Sequence, residues 1–138
     1  MRTSRHIYPL AMLLMLAASM AWAEGTLSIR LVEATQSDNR VSRGLRDVLP
    51  VLREGLPYAG YHLLASASMR LPSTKTSREL NGYVIACSGM QSALSIEVRR
   101  NKEELVRTVV RLQKNNPLIL GGFPSGHGGK HVLVFVVR

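Results

Sequence analysis

Apolar and polar side chains alternate along most of this chain, and that period of two constrains the fold more than any other feature. Successive side chains of a strand point to opposite faces, so the alternation is typical of strands buried on one face. In Tyr61–Leu71 it places Tyr61 and Met69 on the same face. The strands predicted in this way are Thr26–Ala34, Tyr61–Leu71, Leu80–Cys87, Ala93–Arg100 and Leu105–Gln113.

The C-terminal part of the chain follows a different pattern. Leu118–Leu120 is short and apolar, and Gly121–Lys130 is rich in glycine, which indicates a loop. Val132–Val137 is apolar at every position, so we predict a strand buried on both faces at the centre of the sheet. The polar segment Pro72–Arg78 is predicted to be a loop.

One segment has helical periodicity. From about Ser42 to Glu54, apolar residues recur at spacings of three and four, but Pro50 interrupts the pattern. Proline removes a backbone donor and crowds the carbonyl four residues back, so we expect a kink there or a split near Asp47. The predicted fold class is α+β, with one amphipathic helix packed on a mostly antiparallel sheet of about six strands.

The N-terminus resembles a secretory signal peptide. Arg2 and Arg5 precede an apolar run, and Ala21-Trp22-Ala23 fits the small residues that signal peptidase accepts. We therefore predict a signal peptide at 1–23, one small α+β domain at 24–138, and a periplasmic or secreted location with no transmembrane segment after cleavage. The alternative is an uncut membrane anchor, although the apolar run is shorter than the ~20 residues that span a bilayer.

The charge and the cysteine content indicate which partners and which cysteine chemistry this protein can have. The net charge is +9, which is compatible with an anionic partner, and a single cysteine excludes an internal disulfide. Cys87 lies in an apolar stretch, which favours a buried free thiol over a reactive thiol or an intermolecular disulfide.

The glycine-rich loop suggests catalytic or phosphate-binding motifs, but each of them fails. The residues around Gly129-Lys130 lack the spacing, the hydroxyl residue and the following helix of a phosphate-binding loop. Ser125 lacks the glycines two residues to either side that a nucleophile elbow needs, since Phe123 and His127 stand there. His127 and His131 have no nearby carboxylate in sequence. We predict no catalytic, cofactor or metal site; the enzymatic alternative needs Ser125 or His127 to meet a distant partner such as His62.

The stretch Thr108–Phe123, which reads TVVRLQKNNPLILGGF, resembles the strand–turn–strand pattern of the membrane-facing domain of secretins, the ring-forming outer-membrane channels. The match covers less than a third of the chain, and the later proline- and glycine-containing signature of secretins is missing. The resemblance implies a detached module or accessory of an envelope secretion or pilus system, and it assigns no role to any residue.

We therefore expect a non-enzymatic envelope protein that acts through contact with an envelope protein or with itself. Leu118–Phe123 and Val132–Val137 are predicted to form an apolar hairpin. An exposed apolar edge favours the addition of a partner strand, although this hairpin could equally belong to the core. The alternative is a basic sheet face that binds an anionic envelope polymer, without specific nucleic-acid binding. The residues predicted to contact a partner are Leu118, Ile119, Leu120, Phe123, Val132 and Val134, and those predicted to bind a polyanion are Arg99, Arg100, Arg107 and Arg111.

Overall fold

A computed structural model describes residues 25–138, in which two four-stranded antiparallel sheets face each other. The predicted signal peptide at 1–23 lies outside the described residues. The strands are β1 (Gly25–Thr35), β2 (Gly60–Leu71), β3 (Ser73–Leu80), β4 (Tyr83–Met90), β5 (Ala93–Arg100), β6 (Glu103–Val110), β7 (Leu118–Pro124) and β8 (Lys130–Val137).

The chain forms β1 and β2 of the first sheet, then all four strands of the second sheet, and returns to the first sheet for β7 and β8. The first sheet has the order β2-β1-β8-β7, and the second has the order β3-β4-β5-β6. The prediction of broadly α+β structure is confirmed, but the prediction of about six strands in one sheet is wrong. Strands with one apolar face need a second apolar layer, and here a second sheet supplies most of it.

The predicted loop Pro72–Arg78 is wrong, because most of it belongs to β3, and the predicted strand Leu80–Cys87 is divided by the turn between β3 and β4. β3 pairs with β4 alone, and most of its side chains are exposed, so it has little apolar surface to reveal it. The signal that identifies it is Asn81-Gly82, where both residues have positive φ, 45° and 90°. Asn-Gly is the preferred pair for a two-residue hairpin turn whose central residues both need φ above zero.

The larger core lies between the sheets. It is built from the inward-facing side chains of six strands, including Ile29 of β1, Ile85 of β4 and Phe135 of β8, each with no exposed surface. One register shift redirects β2: Val32 pairs with Leu63 while Leu31 pairs with Ala65, so Leu64 is an extra residue. Tyr61 and Met69 therefore lie on opposite faces, contrary to the simple alternation.

β8 is buried on both faces at the centre of the first sheet, as predicted. Leu133, Phe135 and Val137 enter the core between the sheets, whereas Val132, Val134 and Val136 face outward. A helical layer covers these three valines and forms a second core. Its other buried members are Val32, Ala34, Leu45, Val48, Leu52 and Tyr61.

The helical layer is split, as the position of Pro50 predicted. A 3-10 turn spans Arg43–Leu45, and the helix α1 spans only Leu49–Gly55. Pro50 lies in the first turn of α1, where the backbone N–H of a helix has no intrahelical partner and its loss costs little. No helix within residues 25–138 is long and apolar enough to cross a membrane.

A partly buried ion pair anchors this layer to β1. Arg30 donates two hydrogen bonds to the carboxylate of Asp47, at 2.7 and 2.8 Å, and a third to the carbonyl oxygen of Gly44 at 2.8 Å. Arg138 also bonds Asp47. The Arg30 hydrogen bond lowers the pKa of Asp47 to about 2 from its ordinary value of 3.8.

The Asp47 pair predicts a specific acid sensitivity. A carboxyl with a depressed pKa stabilises the folded state above the unfolded pKa, and this contribution is lost as the pH falls through the folded value. We expect the free energy of unfolding to decline between about pH 4 and pH 2 and this decline to be smaller in Asp47→Asn. Chemical unfolding at several pH values measures it, with Glu54→Gln as the control; equal acid sensitivity of all three proteins would contradict the prediction.

Candidate interaction surface

The two sheets leave four edge strands, β2 and β7 in the first sheet and β3 and β6 in the second. An edge strand has unpaired backbone N–H and C=O groups, which can add a strand from another chain unless the edge is covered or charged. The four edges differ in how far they are covered or charged.

The edge of β2 is covered by its own chain. Arg78 of β3 donates to the carbonyl oxygen of Ser68 at 3.2 Å, and the N–H of Leu63 donates to the hydroxyl of Ser42 at 2.9 Å. Val41 forms an isolated parallel bridge to Tyr61. Side chains and loops thus occupy positions along β2 that a partner strand requires.

β3 and β6 carry charged side chains, which disfavour pairing with another edge. Lys75, Arg78 and Glu79 lie on β3 and are exposed. Glu103, Glu104 and Arg107 lie on β6 and are exposed as well. A strand added to either edge would have to desolvate these groups.

β7 has neither cover nor charge. It contains no charged residue and, within the described chain, its ladder pairs with β8 alone. Gly121 and Gly122 have φ of 125° and 96°, and the register with β8 shifts between Gly121 and Phe123. The regular part of this edge is therefore Leu118–Gly121, ahead of the bulge.

A shallow apolar groove follows β7 on its helix side. Its volume is about 350 Å³. The end of α1 lies against the strand, since a Cβ built on Gly55 would stand 4.0 Å from Cδ1 of Ile119. The groove is lined by Val51, Glu54, Gly55, Pro117, Leu118 and Ile119.

The other face of β7 borders the rim of the main core. β6 and β7 are the edges opposite the β2–β3 connection and are not paired with each other. Six side chains from these two edges pack against the core but stay half-buried, and we call them the open rim. They are Leu105, Val106, Val110, Leu118, Leu120 and Phe123.

A series of hydrogen-bonded side chains packs against Phe123, near the C-terminal end of β7. Arg100 donates to the hydroxyl oxygen of Tyr83 at 2.8 Å, and that hydroxyl lies 2.9 Å from Nδ1 of His131. His131 Nε2 lies 3.3 Å from Glu33 Oε2, and the Phe123 ring packs on Tyr83 with centroids 5.8 Å apart. If the Tyr83 hydroxyl donates to Nδ1, the neutral imidazole carries its proton on Nε2 and donates it to Glu33.

Tyr83, His131 and Glu33 follow the order of a nucleophile, a base and an orienting carboxylate. The burial of Tyr83 and His131 indicates a structural role instead. Tyr83 has no exposed surface, and burial raises the pKa of its hydroxyl despite the nearby Arg100. The hydroxyl is therefore neutral at ordinary pH and cannot touch a substrate. Sequence reasoning missed the cluster because Glu33 and His131 are 98 positions apart.

Tyr83→Phe is expected to lower the free energy of unfolding by about 2 kcal/mol, because it leaves a buried histidine nitrogen and a guanidinium without their partner. Tyr58→Phe is the control, since the Tyr58 hydroxyl makes no hydrogen bond within residues 25–138, and it should change stability by less than about 0.5 kcal/mol. Urea unfolding measures both. Equal effects of the two substitutions would contradict the structural role of the cluster.

The structure corrects part of the predicted contact surface. Val132 and Val134 have no exposed surface, because the helical layer covers that face of β8. They are core residues and cannot meet a partner. Leu118, Ile119, Leu120 and Phe123 are half-buried on the edge strand β7.

The four arginines predicted to form a basic face do not share one. Arg99 bonds Glu97, and Arg107 lies 2.6 Å from Glu104 and 3.7 Å from Glu97. The other two leave this face, since Arg100 is bonded to Tyr83 and Arg111 lies beyond the end of β6.

Glu97 lies among three basic side chains on that outer face, those of Lys75, Arg99 and Arg107. The hydrogen bond from Arg99 lowers the pKa of Glu97 below its ordinary value, so the carboxylate stays ionised between the arginines. Glu97 and Glu104 thus offset part of the charge of Arg99 and Arg107, and Lys75 of β3 lies near the Glu97 carboxylate.

The glycine-rich loop assembles no reactive pair. The Ser125 hydroxyl accepts the N–H groups of His127 and Gly129, both at 3.2 Å, which caps the loop. His62 pairs with Asp38 at 3.0 Å instead. Within the described part of the chain, no group of three or more His, Cys, Asp or Glu side chains is placed to hold a metal ion.

Comparison with known proteins adds no relative from which a role could be taken. No family model, no curated protein and no solved structure matches this chain.

Proposed function

We propose that this chain is an exported, non-enzymatic envelope protein that acts through protein–protein contact along β7. The observation that carries the proposal is the contrast among the four edges, since β7 alone is neither charged nor covered within the described residues. Natural sheets usually protect such an edge, and an unprotected one is a template for pairing with another chain.

The surroundings of β7 support the same proposal. A bare edge with polar flanks would offer only backbone hydrogen bonds, but the groove beside α1 and the open rim add apolar surface on both faces. Apolar burial supplies most of the free energy of protein association. The export signal predicted at 1–23 and the resemblance to secretins make an accessory role in a secretion or pilus-type assembly the specific form of this proposal.

A matched pair of valines tests where the partner binds. Val51 lines the groove, whereas Val109 is 68% exposed on β6 of the other sheet. We expect Val51→Lys to reduce recovery of a crosslinked protein partner from the native envelope at least about tenfold, because it desolvates a charge in the contact. Val109→Lys should leave recovery unchanged.

Salt and fold controls complete the test. The contact should survive washing at high salt, since apolar association is not weakened by salt, and circular dichroism should show both variants folded. Recovery that vanishes at high salt, or that depends on Val109 instead of Val51, would overturn the proposed function.

A further inference from the structure

We infer that the occupant of the β7 edge is an extended segment of an acidic partner, apolar on both faces, which adds to the first sheet as a fifth strand. This inference rests on the proposed function and specifies its partner. The strand would pair with Leu118–Gly121, the regular part of the edge before the glycine bulge.

The two faces of β7 determine the side-chain pattern of the occupant. Side chains of an added strand alternate between the faces of the sheet. Those on one face would enter the groove beside Val51, Gly55 and Ile119, and those on the other would cover Leu118 and Leu120 of the open rim. Because the rim is apolar and the groove is mostly apolar, with Glu54 as its one charged lining residue, the segment is apolar at consecutive positions.

β8 shows that this domain already accommodates such a strand. Beside β7, it inserts Leu133 and Phe135 between the sheets and Val132, Val134 and Val136 under the helical layer. The occupant would repeat that two-faced pattern on the opposite side of β7. A partner strand with alternating polar residues would leave polar groups against one apolar surface without hydrogen bonds.

The charge of the domain selects an acidic partner over a second copy. Residues 25–138 contain 16 Lys and Arg against 8 Asp and Glu, since Arg2, Arg5 and Glu24 precede them. Two copies that meet at β7 would repel each other, whereas acidic residues flanking the apolar segment would be attracted. Lys114 precedes β7 by four residues, and Lys130, the first residue of β8, pairs with Pro124 at the end of β7.

A synthetic peptide tests the inference without knowledge of the natural partner. The probe is Val-Leu-Val-Phe-Val with two aspartates at each end, and the control replaces the central valine by proline, which cannot donate to the ladder. Amide hydrogen exchange of the folded protein is followed by NMR at each edge. With saturating probe, we expect amides within Leu118–Gly121 to exchange at least about 10-fold more slowly.

The controls identify the edge. Exchange in β3 and β6 should not change, Val51→Lys should weaken the affinity for the probe at least about tenfold, and Val109→Lys should not. The proline peptide should not protect β7. Protection at another edge, equal protection by both peptides, or no protection of Leu118–Gly121 would overturn the inference.

The outcomes separate the two proposals. If envelope recovery depends on Val51 but the probe does not protect β7, strand addition is wrong and the proposed function stands. If the probe protects β7 but recovery is indifferent to Val51→Lys, β7 accepts a strand and the proposed function fails. Concentration-dependent protection of β7 in the absence of peptide would overturn the acidic partner in favour of a second copy.

Discussion

Replacing Phe135 with alanine is expected to lower the free energy of unfolding by about 3–5 kcal/mol. Phe135 is fully buried at the centre of the first sheet, where it pairs with Ile29 on β1 and with Leu118 on β7. The substitution leaves a cavity between the two sheets that neighbouring side chains fill only in part. Loss on this scale follows from the removed contacts and the cavity together.

Urea unfolding followed by circular dichroism measures this effect. Val109→Ala is the matched control, because Val109 is 68% exposed and should contribute less than about 0.5 kcal/mol. A Phe135→Ala cost below about 1 kcal/mol would mean that the sheets do not pack against each other through β8.

The Cys87 thiol should be nearly inert in the folded protein. Cys87 is 1% exposed on β4, and burial raises the pKa of its thiol to about 11. Since the thiolate is the reactive form, the elevated pKa alone lowers its fraction at pH 8 by about 100-fold relative to an ordinary thiol of pKa about 9. Exclusion of the reagent from the core slows modification further.

Alkylation at pH 8 tests this prediction, with mass spectrometry as the readout. The protein in concentrated urea is the control and should react at the rate of a free thiol. The native thiol should react at least about 100-fold more slowly, and no disulfide-linked dimer should form in air. Rapid alkylation of the native protein would contradict the placement of Cys87 between the sheets.

Much of the secondary structure followed from local pattern. The bounds predicted for Ala93–Arg100 agree with β5, and the uniform apolarity of Val132–Val137 correctly indicated a central strand. Pro50 correctly indicated a split in the helical segment. These features depend on the residues of one segment and its immediate neighbours, so a single sequence contains them.

The sheet arrangement required information that local pattern does not hold. Alternation shows that a strand has one buried face, but not which strands share a sheet. The redirection of β2 at Leu64 depends on its pairing with β1, which lies more than 30 positions earlier. β3 was the avoidable omission, because Asn81-Gly82 is a strong hairpin signal that its polar flanks obscured.

The candidate surface was predictable only in part. Leu118–Leu120 and Phe123 were predicted as contacts from their apolar character and lie on the edge strand β7, but the same criterion included Val132 and Val134, which the helical layer buries. The groove depends on Val51 and Gly55 from a helix more than 60 positions away. Sequence alone therefore indicated the strand but not the surface that surrounds it.

Site-specific photocrosslinking determines whether β7 is the edge at which a partner binds. A crosslinking amino acid is placed at one position of each edge strand, at Ser66 of β2, Lys75 of β3, Val109 of β6 and Leu118 of β7. In the native envelope we expect a discrete protein adduct from position 118 and none from the other three. Adducts from β3 or β6 without one from β7 would contradict the account.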